Sequence, residues 1–340
     1  MNSYVKNSEK LKKEFIVKVI NLYSNSNNKL ISLFKLFIYS CSILFTVFTY
    51  KPNLIYFTIS PVNTFHRDLF YVFILKLFKI KLVYHLHGKG IEANASKNKI
   101  NFKLYNWAFK NVNVILVSEK LKYDIEFLPL RSIYILPNAI PKIPFISSPN
   151  QDIPKENSPI RLLFLSNLIK SKGVFDFIEA VKILKKQKFN IRADIVGREA
   201  DIKEYELYLR ISSLEDVLTF HGPLYGDEKN SILKTSDVLI FPTMKDIWGI
   251  VILEAMQFGL TIITTDEGAI TDMIENEING FIVEKNNPQQ IAEKIKFLID
   301  NPNLIQKMGI AAKEKFLRRY TLDIFEENML NIFNKIIKSL

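Results

Sequence analysis

The chain has 340 residues, enough for two domains of ~150 residues each rather than one core. Its 48% hydrophobic and 24% charged content is that of a globular protein, and its one cysteine, Cys41, excludes a disulfide framework or a cysteine metal cage. The net charge of +11 is unevenly placed: residues 1–150 hold 21 Lys/Arg against 7 Asp/Glu, a net of +14, and the remainder carries −3. An anionic partner is therefore expected for the first half alone. The aromatics beside these lysines lie in Ile/Leu/Phe runs, which favours an anionic membrane face over nucleic acid.

Residues 1–20 are charged throughout and lack the apolar segment of a secretory signal, so a cytoplasmic protein, peripheral on the inner face of the cell membrane, is expected. The stretch 31–50 is long enough to span a bilayer but contains Lys35 and five Ser/Thr, and is expected to be a packed or interfacial helix. Cys41, within it, is expected to be a buried core thiol.

Apolar, β-branched runs suited to buried parallel strands follow in chain order at 16–23, 53–60, 81–87, 112–118 and 133–137. A second series occupies 160–166, 191–197, 217–220, 237–242 and 260–265. Segments of helical period lie between them, notably 174–187 and 287–299, so each series predicts a parallel sheet covered by helices. The proline- and Ser/Asn-rich stretch 138–159 divides the two series. The expected division is a first domain over 1–145, a linker over 146–159, a second domain over 160–320, and a final helix over 321–340 packing back towards the first domain. In doubly wound sheets, ligands lie at the carboxyl ends of the strands, so chemistry-bearing residues are sought just after strands.

The most informative of these places is 241–270, "FPTMKDIWGIVILEAMQFGLTIITTDEGAI". Asp246 follows a strand, Gly249 precedes a helix over about 248–258, and Gly259 stops that helix. The amides of Trp248, Gly249 and Ile250 are expected to point out of the helix start, where the dipole favours an anion. Glu254 lies in the apolar run "IVILEAM", where a carboxylate without a partner is costly. A hydroxyl-rich ligand such as a ribose would satisfy it. Taken alone, Asp246 reads equally as a helix cap and Glu254 as a solvated residue. In "LLFLSNLIKSKGVFDFIEA", Asn167 and Lys172 follow another buried strand, and Gly173 precedes a helix. A lysine at such a turn is placed to neutralise a diphosphate. In the first half, "KLVYHLHGKG" ends a strand with His85 and His87 on one side, followed by Gly88; no third ligand makes this a metal site. His221 reads as structural or adjacent to a nucleobase, and 198–210 as a solvated helix.

Residues 160–320 resemble the carboxyl-terminal domain of retaining glycosyltransferase family 4, the group 1 glycosyltransferases. The resemblance implies a GT-B fold, two doubly wound Rossmann-type α/β domains facing a cleft. By position, Lys172 matches the lysine at the donor diphosphate, Glu254 the glutamate at the donor ribose, and Trp248, Gly249 and Ile250 the amide-bearing segment. Asp246 stands where the family has its first glutamate, at the donor sugar, and Asn167 where it has an arginine. His87, with Gly88, matches the histidine facing the reacting sugar; His85 reads as a core residue, and Asn138 ends the matching first-domain strands. The resemblance lacks the first βα unit, since no Gly-rich turn precede 16–23 and the first glycine is Gly88. That pattern reads as a shortened first domain or as a start assigned too late. The implied activity is metal-independent, retaining transfer from a nucleotide diphosphate sugar to a lipid-linked or polysaccharide acceptor, without a cofactor. A non-catalytic glycosyltransferase-like subunit and a nucleotide-sugar epimerase are the open alternatives.

Overall fold

A computed structural model describes residues 2–20, 22, 29–60, 62, 64–144 and 158–339. The chain forms two compact units, one of Met1–Pro137 with Asp323–Leu340, the other Asn138–Leu322. The backbone therefore passes from one unit to the other twice.

The first unit holds a four-stranded parallel sheet in the order β1 (Leu54–Ile59), β2 (Lys81–Leu86), β3 (Asn113–Leu116), β4 (Ser132–Ile135). Each strand coincides with an apolar run in the sequence. The strand expected over 16–23 is not there: residues 16–20 and 22 have no regular structure, Ile16 is 89% exposed, and residues 21 and 23 lie outside the described residues, as do 24–28. Among the described residues β1 pairs only with β2, so the described part of this apolar run gains no ladder, and none of it is fully buried. The helix Leu322–Lys338 belongs here, with Phe325, Met329, Phe333 and Ile336 buried along one side. Phe333 meets Tyr56 edge-on at 5.7 Å and Phe15 at 6.3 Å. Lys81 donates from Nζ to the carbonyls of Ile337 (2.8 Å) and Ile336 (3.0 Å), satisfying acceptors that a helix end leaves open.

The second unit is a six-stranded parallel sheet. Its strands are β5 (Ile160–Leu165), β6 (Ile191–Val196), β7 (Leu218–Phe220), β8 (Val238–Phe241), β9 (Thr261–Thr265) and β10 (Gly280–Val283). They run in the order β10-β9-β8-β5-β6-β7. Helix Val174–Lys186 lays Val174, Phe177, Ile178, Val181 and Leu184 on Leu162, Phe164, Ile195 and Ile240. Strands covered on both faces in this way read as unbroken apolar runs, which is why β5, β8 and β9 stood out in the sequence. β10, with Gly280 and only four residues, did not. The chain joins this unit at Asn138 rather than near 145: Ile140 bridges Thr321, its amide donating to the Tyr320 carbonyl and its carbonyl accepting from the Leu322 amide, both at 3.1 Å. Residues 145–157, most of the expected linker, lie outside the described residues.

The helix Lys29–Tyr50 covers the 31–50 stretch, and among the described residues no helix is long and apolar enough to cross a membrane. It buries Ser40, Ile43 and Val47 and exposes its other face, where Cys41 lies. Cys41 is therefore not the core thiol its apolar setting suggested. Burial follows the side of the helix, and Cys41 is on the wrong side.

Gly309 sets how closely helix Pro302–Arg319 approaches the end of helix Ile250–Phe258, since a Cβ there would lie 2.0 Å from the Gly259 carbonyl oxygen. Gly309→Ala should lower stability by about 1–3 kcal/mol in urea unfolding through overpacking, despite alanine's better helix propensity.

Candidate functional site

The strand order of the second unit reverses between β5 and β8, with β6 and β7 following on one side and β9 and β10 on the other. Such a switch point leaves a crevice at the carboxyl ends of the two central strands. Lys172 follows β5 and Asp246 follows β8, so the fold brings together there two residues 74 positions apart. Lys172 Nζ donates to Asp246 Oδ2 at 2.6 Å and to the Lys245 carbonyl at 3.1 Å. Both side chains are under one-fifth exposed.

The loops carrying this pair are locked backbone to backbone. Gly173 (φ +83°) ends the short helix Lys170–Lys172, and a Cβ on it would lie 2.3 Å from the Pro242 carbonyl oxygen. Only glycine permits that approach. The Met244 amide donates to the Ser171 carbonyl at 2.8 Å. From the other side Gly268 (φ +59°), in the turn after β9, would place a Cβ 2.4 Å from the Asp246 carbonyl oxygen.

Asp246 Oδ1 accepts from the amides of Ile247 (2.7 Å), Trp248 (3.1 Å) and Gly249 (3.0 Å). This corrects the expectation that the Trp248 and Gly249 amides point outward for an anion. The aspartate is one methylene shorter than glutamate, and its carboxylate turns back onto its own loop. Burial opposes ionisation of Asp246, but the Lys172 ammonium and these amides outweigh it and hold its carboxyl below the usual carboxylate range. Trp248 is buried against Tyr320 (5.9 Å), and its Nε1 has no partner. Ile250 begins the helix Ile250–Phe258 and is partly exposed. Asn167, in the loop after β5, is exposed.

Glu254 is not without a partner, as the sequence suggested: Lys229 donates to its Oε1 at 2.8 Å, with both side chains about one-fifth to one-quarter exposed. Lys229 lies on helix Gly226–Thr235, 25 residues away, and no local pattern singles it out. His221 is held by Asp194 at 2.6 Å. The helix expected over 198–210 is confined to Glu204–Ile211.

The first unit places His87 and Gly88 just after β2. His85 is fully buried, with Nδ1 2.6 Å from the Tyr56 hydroxyl, and its ring lies 4.0 Å from that of His87. Burial keeps Tyr56 protonated, so the hydroxyl is the donor and the imidazole the acceptor. Burial, with the neighbouring ring, carries His85 well below the ordinary histidine value, and burial lowers His87 to about 4. Both are neutral at pH 7, and Nε2 of each is buried without a partner. Asn138 is 9% exposed at the passage into the second unit, its Oδ1 unpartnered. Among the described residues no three His, Cys, Asp or Glu side chains are grouped to hold a metal ion.

Two parallel-sheet Rossmann-like units define a GT-B protein. The chain is similar to a glycosyltransferase from Rickettsia africae (TM-score 0.71, 21% identity, over 98% of this chain and 88% of that one). It is also similar to Anabaena HepE in complex with UDP (TM-score 0.71, 19% identity, over 88% and 82%). Residues 148–315 match the family model Glycosyl transferases group 1, and the second unit belongs to that family. Among curated relatives, the capsular polysaccharide biosynthesis glycosyltransferase CapM of Staphylococcus aureus is 26% identical over 52% of this chain and 46% of its own length. An uncharacterised glycosyltransferase of Methanocaldococcus jannaschii is 24% identical over 72% and 65%. The chain thus spans about half to two-thirds of the length of these relatives.

The two imidazoles are neutral in the fold but protonate near pH 6.5 in the unfolded chain. Their contribution to stability is complete above about pH 6.5 and is lost as the pH falls towards 4, the folded value of His87. The thermal midpoint should fall across that window, and His87→Asn should flatten the slope by an amount on the order of 2 kcal/mol. Parallel slopes for the two proteins would refute the assignment.

Proposed function

We propose that the chain is a retaining, metal-independent glycosyltransferase of family 4 type that takes a sugar from a nucleotide diphosphate donor. What carries this reading is the Lys172–Asp246 ion pair at the switch point of a group 1 glycosyl transferase domain. Two of the three Lys172 N–H bonds are engaged, to Asp246 and the Lys245 carbonyl, which leaves one for a phosphate oxygen. A fixed ammonium at the departing diphosphate supplies the charge that other transferases take from a divalent ion. Asp246 serves by orienting Lys172 and holding the 247–249 loop. Glu254, oriented by Lys229, receives the ribose hydroxyls. Trp248, Gly249, Ile250, Gly173 and Asn167 shape the donor crevice, and Asn138 is the residue with which the chain enters the second unit. HepE, of the same fold, is described in complex with UDP, which supports a nucleotide donor.

His87 and Gly88 serve the acceptor side. A neutral, buried imidazole whose Nε2 has no partner can accept a hydrogen bond from a sugar hydroxyl. The acceptor is lipid-linked or a growing polysaccharide, in keeping with the capsular role in the name of the S. aureus relative.

The protein works at an anionic membrane surface. Helix Lys29–Tyr50 exposes Phe34, Phe37, Phe45 and Phe48 to 65–68%, and helix Phe65–Lys76 exposes Phe70 and Phe73. Isolated exposed apolar residues are ordinary, but a contiguous set along helices marks a contact surface. Residues 29–51 contain no acidic residue, and the one in 65–81, Asp68, is buried against Arg67, so the exposed charges of these segments are lysines and Arg67. Basic residues beside an apolar face fit anionic lipid, at about 1 kcal/mol per residue near such a surface.

Two experiments test these readings. In calorimetry with UDP, Glu254→Ala should weaken binding at least tenfold and Lys229→Met by a smaller factor, whereas unchanged affinity in both would remove Glu254 from the donor site. In sedimentation with vesicles containing phosphatidylglycerol, the wild type should bind and Phe37→Ser/Phe45→Ser should lose most binding; equal binding to neutral vesicles would refute the charge contribution.

A further inference from the structure

We infer that a pocket in the first unit, beside His87, receives a phosphate of the acceptor. The inference rests on the reading of the chain as a glycosyltransferase and adds the chemistry of the molecule that accepts the sugar. The pocket, about 350 Å³, lies at the carboxyl ends of β1 and β2 and is walled by Ser60, Thr64, Arg67, Asp68, His87 and Gly88, among others. Its foundation is Asp68, 3% exposed. Asp68 Oδ2 accepts from the Ser60 amide (3.0 Å) and the Thr64 hydroxyl (3.2 Å). Oδ1 accepts from Arg67 Nη2 (2.9 Å) and Nε (3.1 Å). Each carboxylate oxygen thus already takes two protein donors, and a ligand finds little acceptor capacity in it.

Arg67 is presented differently. Nε and Nη2 are tied to Asp68, Nη2 also donates to Thr64 Oγ1 at 3.2 Å, and Nη1 takes part in none of these bonds. The side chain is 41% exposed. A guanidinium held in plane on one edge and open on the other loses little entropy on meeting an anion. The groups of the wall with a proton still to give are the Nη1 N–H bonds of Arg67 and the Ser60 hydroxyl, whose oxygen accepts from the Thr64 amide at 3.5 Å. A ligand made only of acceptors, such as a phosphate, suits this wall better than a sugar ring.

The helix that carries Arg67 identifies the phosphate further. Arg67, Phe70 and Phe73 are three residues apart on helix Phe65–Lys76 and share one side of it. Phe70 and Phe73 are 43% and 54% exposed. A receptor for an anion therefore continues into an apolar surface, which is the order of parts in a phosphate ester of a long hydrocarbon. A phosphate joined to a lipid fits; a free phosphate would leave the apolar part without purpose.

Calorimetry on the full chain saturated with UDP, with farnesyl diphosphate as the probe, tests this. The wild type should bind farnesyl diphosphate at least tenfold more tightly than farnesol or inorganic diphosphate. Arg67→Gln should lose at least tenfold. Unchanged UDP affinity in Arg67→Gln shows that the variant is folded; if it is not, Arg67→Lys, which keeps a charge over Asp68 but not the fork, should still lose several-fold. The proposal is overturned if Arg67→Gln and Arg67→Lys bind the probe as the wild type does. It is overturned equally if farnesol binds as tightly. Failure of the wild type to bind UDP would instead count against the donor reading, and the Arg67 comparison would be decided without UDP.

Discussion

The contact between Lys172 and Asp246 is where the topology of the second unit becomes chemistry. The reversal of strand order between β5 and β8 opens the two central loops next to each other, and glycines let them close. Gly173 brings one loop against Pro242 and Gly268 brings the following turn against Asp246. Within that frame the carboxylate has one orientation, with three loop amides on one oxygen and the ammonium on the other. A partly buried charge pair held in this way is preorganised, and the proposed donor diphosphate would meet it without rearrangement.

The same economy of partners appears at other charged positions in the structure. Glu254 has Lys229, Glu267 has Lys285, and Asp68 has Arg67. Carboxylates removed from water take a cation or several amides, because burial without one is expensive. The exceptions among the described residues are neutral groups: His85, His87, Asn138, Trp248 and Thr321 keep buried polar atoms without a partner. Buried polar atoms are ordinarily paired, so the two imidazoles at the end of β2 are places where a ligand of the first unit could supply the missing partner.

The two units also differ in surface. The first carries the net positive charge together with most of the exposed phenylalanines, and the second is close to neutral, with its core between its sheet and helices. The proposed donor chemistry sits in the neutral unit, while the proposed acceptor and lipid contacts sit in the basic one.

Most of the sheet framework was legible in the sequence, because a parallel strand buried on both faces must be a continuous apolar run: β1 to β9 and helices Val174–Lys186 and Pro288–Asp300 were all expected close to where they lie. The same rule misled at 16–23, where apolar character existed without a neighbouring strand to pair with, and it passed over the short β10. Cys41 showed that an apolar stretch does not say which side of a helix is covered. Among the candidate site residues, Lys172, Asp246 and His87 were marked by residue type and by position after strands, and Glu254 by its place in an apolar run. Their partners were not. Lys229 for Glu254, Tyr56 for His85 and the loop amides for Asp246 depend on distances that only the folded chain defines. The sequence by itself thus determined the repeating elements and the residues capable of chemistry, since both follow from local composition. Only the tertiary structure decided which charges meet, which amides are already taken and which histidines lose their proton, because those depend on burial and on separations between residues far apart in the chain.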